Sequence, residues 1–269
     1  MSALRARRPA VAGTFYPDDG SALAAQVDAF VAARPYDGVA PKAIVVPHAG
    51  YVYSGPIAGT GYAAIEPLAG VIERVVVLGP AHRVPVEGLA VSSADAFITP
   101  LGVVPIDTEA RDVALSCRGV QIDDAAHAPE HSVEVHLPFL QRVLGDGFRV
   151  LPVVVGHAQP DAVAELLDAL WGGRETLIVV STDLSHYEDQ GSARRHDERT
   201  AAAILNGDID EIGPYDACGA APVCGLLRAA VQHELDVNLL DLRNSGDTAG
   251  PPDRVVGYAA FTCTPRSRR

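Results

Sequence analysis

Lysine is almost missing from this chain: Lys42 stands alone against 20 arginines. Cysteine is sparse too. Cys117, Cys218, Cys224 and Cys263 follow neither a disulfide framework nor a Cys-x-x-Cys zinc ribbon. No apolar run is long enough for a membrane span, and no apolar segment of signal-peptide type follows the first arginines. A cytoplasmic address is therefore expected, with no membrane partner. Positive charge is scarce where a nucleic acid would need it. Arg5, Arg7, Arg8, Arg266, Arg268 and Arg269 lie in two tails without acids and read as solvated ends. The remainder carries fifteen basic residues against 34 acidic ones, a net charge of −19. Such a body repels nucleic acid and anionic lipid. Repeats, low-complexity blocks and linkers are also missing, so one domain over residues 1–269 is the simplest organisation.

What is present reads as an α/β protein. The apolar runs 43–46, 75–78, 150–155 and 177–180 look like buried parallel strands, and 255–261 like a late strand. Between them, Leu23, Val27, Phe30 and Val31 form a helical stripe. Pro160 opens a second helix with Val163, Leu166, Leu167 and Leu170 on one face, and 195–205 and 223–235 read as further helices. Alternating strands and helices predict a mainly parallel central sheet covered on both faces.

Chemically able residues follow the strands. His48 comes after the first run, His82 after the second, and Asp183 and His186 after the run ending at Val180. Ligands of open α/β sheets bind beyond the carboxyl ends of the strands. Three strands thus deliver His or Asp to one edge. Singly, a Cys such as Cys218 reads as a small buried hydrophobe, as do Cys117, Cys224 and Cys263. The segment Glu130-His131-Ser132-Val133-Glu134-Val135-His136 has two readings. One is a helix start, with Ser132 as cap and Glu134 favoured by the helix dipole. The other is a set of carboxylates orienting imidazoles near a metal. His131 and His136 are five apart, too far round a helix to share one metal.

Several motifs together resemble the Memo family. They are Val46-Pro47-His48-Ala49-Gly50-Tyr51 with Tyr53-Ser54-Gly55, Leu78-Gly79-Pro80-Ala81-His82, the segment from Glu130, Ser181-Thr182-Asp183-Leu184-Ser185-His186, and Cys218-Gly219 with Pro222 and Gly225. Ala12-Gly13-Thr14-Phe15-Tyr16 and Ser245-Gly246-Asp247 also fit, so the likeness covers a core of about residues 10–262. The Memo fold is similar to that of class III extradiol dioxygenases, the protocatechuate 4,5-dioxygenase type. Those enzymes hold Fe(II) with two His and one Glu, and Memo proteins have Cys in place of the carboxylate. The resemblance implies His48, His82 and Cys218 as metal ligands, with His186 and Asp183 beside the open coordination face. It also implies iron or copper as the metal, and for the human member the binding of phosphotyrosine peptides. This chain departs from that member at Ala220, where it has His, and at Phe15, where it has Trp.

Two imidazoles and a thiolate can hold one face of a metal and leave the other open. Thiolate favours copper, zinc or an electron-rich iron over harder ions. His186 then serves as general acid or base, Asp183 orients it, and Glu130 and His131 support the ligands. Three readings follow. The first is a non-haem metal oxidoreductase of dioxygenase-like type acting on a small organic molecule. The second is a non-catalytic metal-binding or peptide-binding protein. The third is a zinc-type hydrolase with metal-activated water. The negative body charge counts against an anionic phosphopeptide partner.

Overall fold

A computed structural model describes residues 4–266. The arginines at 268 and 269 lie outside that range, so their reading as solvated ends concerns residues the structure does not describe. The strands are β1 (Ala6–Arg7), β2 (Ala43–Val46), β3 (Arg74–Pro80), β4 (Leu89–Val91), β5 (Ala96–Thr99), β6 (Gly102–Pro105), β7 (Val120–Ile122), β8 (Arg149–Val155), β9 (Thr176–Ser181), β10 (His186–Glu188), β11 (Leu235–Asn244) and β12 (Val255–Pro265). The helices are α1 (Gly20–Ala32), α2 (Tyr51–Ala63), α3 (Thr108–Ser116), α4 (Asp124–His127), α5 (Leu137–Leu144), α6 (Pro160–Ala169), α7 (Gln190–Asn206) and α8 (Ala220–Gln232).

Nine strands form the main sheet, in the order β10-β12-β2-β9-β3-β8-β4-β7, with β11 paired to β12. Its centre, β2-β9-β3-β8, is parallel throughout. Antiparallel neighbours close both flanks, β12 against β2 and β4 against β8. The central strands read as unbroken apolar runs because alternate residues enter two different cores. Ile44, Val46, Val75, Val77 and Val179 face one core with α1, α2 and α5. Ala43, Val45, Val76, Leu78 and Val180 face the other, with α6, α7 and α8. Both faces are therefore covered, as the alternation predicts.

Local capping sets the helix starts. Asp19, Asp107 and Asp189 each accept backbone N–H groups in the first turn of α1, α3 and α7. Two sequence expectations are corrected. Ser132 caps no helix: its hydroxyl donates to Pro80 O at 2.8 Å. Residues 223–235 are not all helical, because α8 ends at Gln232 and Leu235 opens β11. A third correction concerns Arg7, which is not a solvated end. It is buried, lies over the Phe97 ring and pairs with Glu134. Glu134 also accepts from Tyr16 Oη and from the N–H groups of Ala10 and Val11. Among the described residues, no helix is long and apolar enough to cross a membrane.

Candidate metal centre

Because β2, β3 and β9 run parallel, the loops after them open on the same edge. His48 lies two residues past β2, His82 two past β3 and Asp183 two past β9. Cys218 arrives from the loop before α8. A two-rung ladder docks that loop on the β9 loop: Cys218 N donates to Asp183 O at 3.1 Å, and Asp183 N donates to Cys218 Sγ at 3.3 Å. Gly219 is required here, since a Cβ on it would lie 2.5 Å from Ser181 O. One donor atom each from His48, His82 and Cys218 fall within 4.8 Å of one another, and Cys218 Sγ is 3.4 Å from His48 Nε2.

The hydrogen bonds behind the two histidines decide which nitrogen faces the cluster. Ser181 Oγ donates its single hydrogen to Ser132 O at 2.6 Å. Towards His48 Nδ1, 2.6 Å away, it can then only accept, so Nδ1 carries the proton and Nε2 keeps its lone pair. Glu130 does the same for His82, with Oε1 3.0 Å from Nδ1. Burial alone would raise the Glu130 carboxyl, but bonds from the His82 ring and from the N–H groups of His82 and Ser132 outweigh it and lower it to about 2. Glu130 is thus an ionised acceptor that leaves His82 Nε2 bare. Burial, reinforced by the neighbouring histidines, holds His48 well below its usual range, so it is neutral at pH 7. Burial also pushes the Cys218 thiol up to about 12, with the nearby Asp183 charge adding to the effect.

Glu130, His82 and His131 form a second cluster of possible ligands. Its carboxylate is already spent: Oε1 accepts from the N–H groups of His131 and Ser132 at 2.9 Å, and Oε2 from that of His82 at 2.6 Å. His131 instead completes the wall. Its ring stacks on His82 at 4.9 Å and meets Phe15 at 4.7 Å. Its Nδ1 is 3.2 Å from Glu130 Oε1 but in a geometry that makes no hydrogen bond. His136 points elsewhere, into the core near the Tyr62 ring.

Asp183 is buried, and Oδ1 accepts His48 N–H at 2.8 Å while Oδ2 lies 3.9 Å from His48 Nε2. Burial raises this carboxyl to about 7. Among the described residues Asp183 makes no hydrogen bond to His186, so its expected part in orienting that ring is corrected: it anchors His48. His186 is exposed at the start of β10, near enough to His48 that its protonated form would lower the His48 pKa. Burial of its ring, together with the charge of His82, keeps its pKa below the usual value. Sequence reasoning assigned no role to Ser181, read Ser132 only as a helix cap, and noted Phe15 only as a departure from the human member's pattern. Only the position of Ser181 at the end of an apolar strand hinted at it.

Comparison with known proteins shows the family. A family model described as "Memo-like protein" matches residues 7–262. A MEMO1 family protein of Aquifex aeolicus is 40% identical over 265 residues, covering 95% of this chain and 98% of its own. One from Methanopyrus kandleri is 38% identical, with 95% and 98% covered, and one from Methanothermobacter thermautotrophicus 34%, with 94% and 98% covered. With a match over nearly its whole length and relatives this similar end to end, the chain belongs to the Memo family.

Proposed function

We propose that this protein holds one metal ion through His48 Nε2, His82 Nε2 and Cys218 Sγ, and uses it for redox chemistry of dioxygenase-like type on a small organic substrate. The observation that carries the metal site is the pair of tautomers. Ser181 and Glu130 each accept a hydrogen bond from Nδ1–H, which leaves the two Nε2 atoms as the nitrogens available beside one thiol. Two imidazoles and a thiolate suit iron or copper, and also zinc. When bound, such an ion supplies a Lewis-acidic, redox-capable centre with an open side.

The remaining chemistry belongs to the chain. Cys218 must give up its proton as it becomes a ligand, so uptake of the ion releases a proton. Asp183 steadies the sulfur, its backbone N–H donating to Cys218 Sγ at 3.3 Å while its carboxylate holds His48. His186 at the exposed rim is neutral at pH 7 and can take or return a proton to a bound molecule. Phe15 and His131 offer ring faces that exclude water from one wall.

The test begins with elemental analysis of protein purified without oxygen. Iron or copper near one equivalent is expected, and magnesium or calcium alone would overturn the assignment. Nitric oxide added to Fe(II)-loaded protein should give a new paramagnetic resonance signal that Cys218→Ser alters. Oxygen uptake with a panel of small phenols then separates the readings. A signal without any uptake favours a non-catalytic metal-binding protein, and no signal sinks the dioxygenase-like one.

A further inference from the structure

One histidine outside the metal cluster is bonded at both ring nitrogens. His196 on α7 has Nδ1 2.7 Å from Glu188 Oε1 and Nε2 2.8 Å from Asp216 Oδ1. Ionised carboxylates only accept, so both nitrogens carry hydrogen and the ring is an imidazolium. The next residue, Asp197, is buried and accepts Ser185 N–H through Oδ1 at 3.0 Å. Its carboxylate occupies the space a Cβ on Gly257 would need, 2.1 Å from Oδ2. Two consecutive residues of one helix therefore grip three segments. Ser185 lies between Asp183 and His186. Glu188 lies two residues after His186, and Asp216 two before Cys218. The second oxygen of Asp216 accepts Gly213 N–H at 2.8 Å, so the loop delivering Cys218 is held as a closed turn.

We propose that His196 and Asp197 are positioning residues: they fix the Cys218 loop against the strand that carries His186, and the grip lasts while the imidazole is charged. Its significance for chemistry rests on the metal reading above. The charged groups around His196 are Glu188 from β10, Asp216 from the loop, and Asp197 and Arg199 on α7, the last acting on Asp216. Burial alone would lower the His196 pKa, but the bonds to Glu188 and Asp216 outweigh it and raise it. The brace is therefore closed below the ordinary imidazole value of 6.5 and opens as pH rises through the raised one.

The experiment reads Cys218 itself. Full-length protein treated with a chelator is exposed to N-ethylmaleimide, and modification of each cysteine is followed by peptide mass spectrometry. Below the ordinary imidazole value of 6.5, His196→Ala should speed modification of Cys218 roughly tenfold, the scale of one charge-assisted hydrogen bond. His196→Arg, which can donate to both carboxylates at any pH, should restore the slow rate. The gap between wild type and His196→Ala should close as pH rises, while the Arg variant stays slow. Cys117 in the same digest should not change. Equal rates in wild type and His196→Ala, failure of Arg to rescue, or parallel acceleration of Cys117 would each overturn the proposal. If His196→Ala does not fold, Asp216→Asn replaces it, with partial acceleration expected and an unchanged rate counting against. Cobalt(II) added to wild-type protein tests the metal reading separately. No thiolate charge-transfer band would overturn that reading, while the modification rates still decide the brace.

Discussion

The two edges of the parallel sheet both gather polar groups, yet they use them differently. At the amino edge, just before β2, Lys42 Nζ donates to the carbonyls of Trp171, Gly173 at 2.7 Å and Thr176 at 2.8 Å. Burial pushes this amine down to about 8, which still leaves an ammonium at neutral pH, with one hydrogen for each carbonyl. His233 beside it stacks on Trp171 and bonds Asp168 at 2.8 Å. At the carboxyl edge, His48 and His82 are each bonded on one nitrogen and bare on the other. Lys42, with its donors fully used, holds the fold, whereas the two imidazoles that converge beside a thiol, unlike the lone His233, are open to a ligand.

That contrast can be broken by substitution. The largest effect belongs to the bare donors. His82→Ala or Cys218→Ala should weaken cobalt(II) or Fe(II) binding by roughly a thousandfold, about one ligand's share of a several-ligand site. Thermal stability of the metal-free chain should barely change. Competition with a chromophoric chelator measures the first, and calorimetry the second. Next comes Glu130→Gln, which loosens the His82 tautomer. It should cost about 10- to 100-fold in metal affinity, as is usual for partners of ligating histidines. It should also remove part of the acid sensitivity. Glu130 is depressed from 4.5 to about 2, so its stabilisation is complete above the ordinary value and is lost as pH falls toward the depressed one. Acid unfolding of the metal-free variant should therefore show a shallower pH dependence than wild type. A parallel pair of curves would contradict the carboxylate's role.

At the amino edge the expectation reverses. Lys42→Met leaves three carbonyls short of a donor and should cost about 2 kcal/mol of stability by denaturant titration. Metal affinity should stay within a factor of two or so, given the independence of distant sites. His233→Gln is the smallest change, under about 1 kcal/mol, because its partner Asp168 is solvent-facing. If either substitution lowered metal affinity as much as Glu130→Gln, the division between the two edges would fail.

The sequence showed some of this directly. Central strands are legible because burial on both faces leaves no polar interruption, and 43–46 is recovered to the residue as β2. The positions of His48, His82 and Asp183 follow from strand ends alone. The helix α2 was not legible. It is buried on nearly every side, so it lacks a polar stripe, and Gly55 and Gly59 are there to admit the Phe30 ring and backbone. The alternation Leu235, Val237, Leu239 is a period-two signal for β11 that the preceding helix obscured. Arg7 could not be placed from sequence, because its partner Glu134 lies 127 residues away. The proton bookkeeping through Ser181 was hidden for the same reason, since its acceptor is the backbone of Ser132.

The place of β12 bears on how the protein is made. It is the last strand among the described residues, yet it enters the sheet between β10 and β2, pairing Phe261 with Val45 and Cys263 with Ala43. While the ribosome is still adding residues, β2 has an unsatisfied outer edge, and the strand that presents His48 is held in register by β9 alone. The outer edge of β2 is covered only when residues 261–263 have emerged. A nascent chain stalled before Val255 should remain protease-sensitive, whereas most domains of this size could begin to settle from their amino-terminal half.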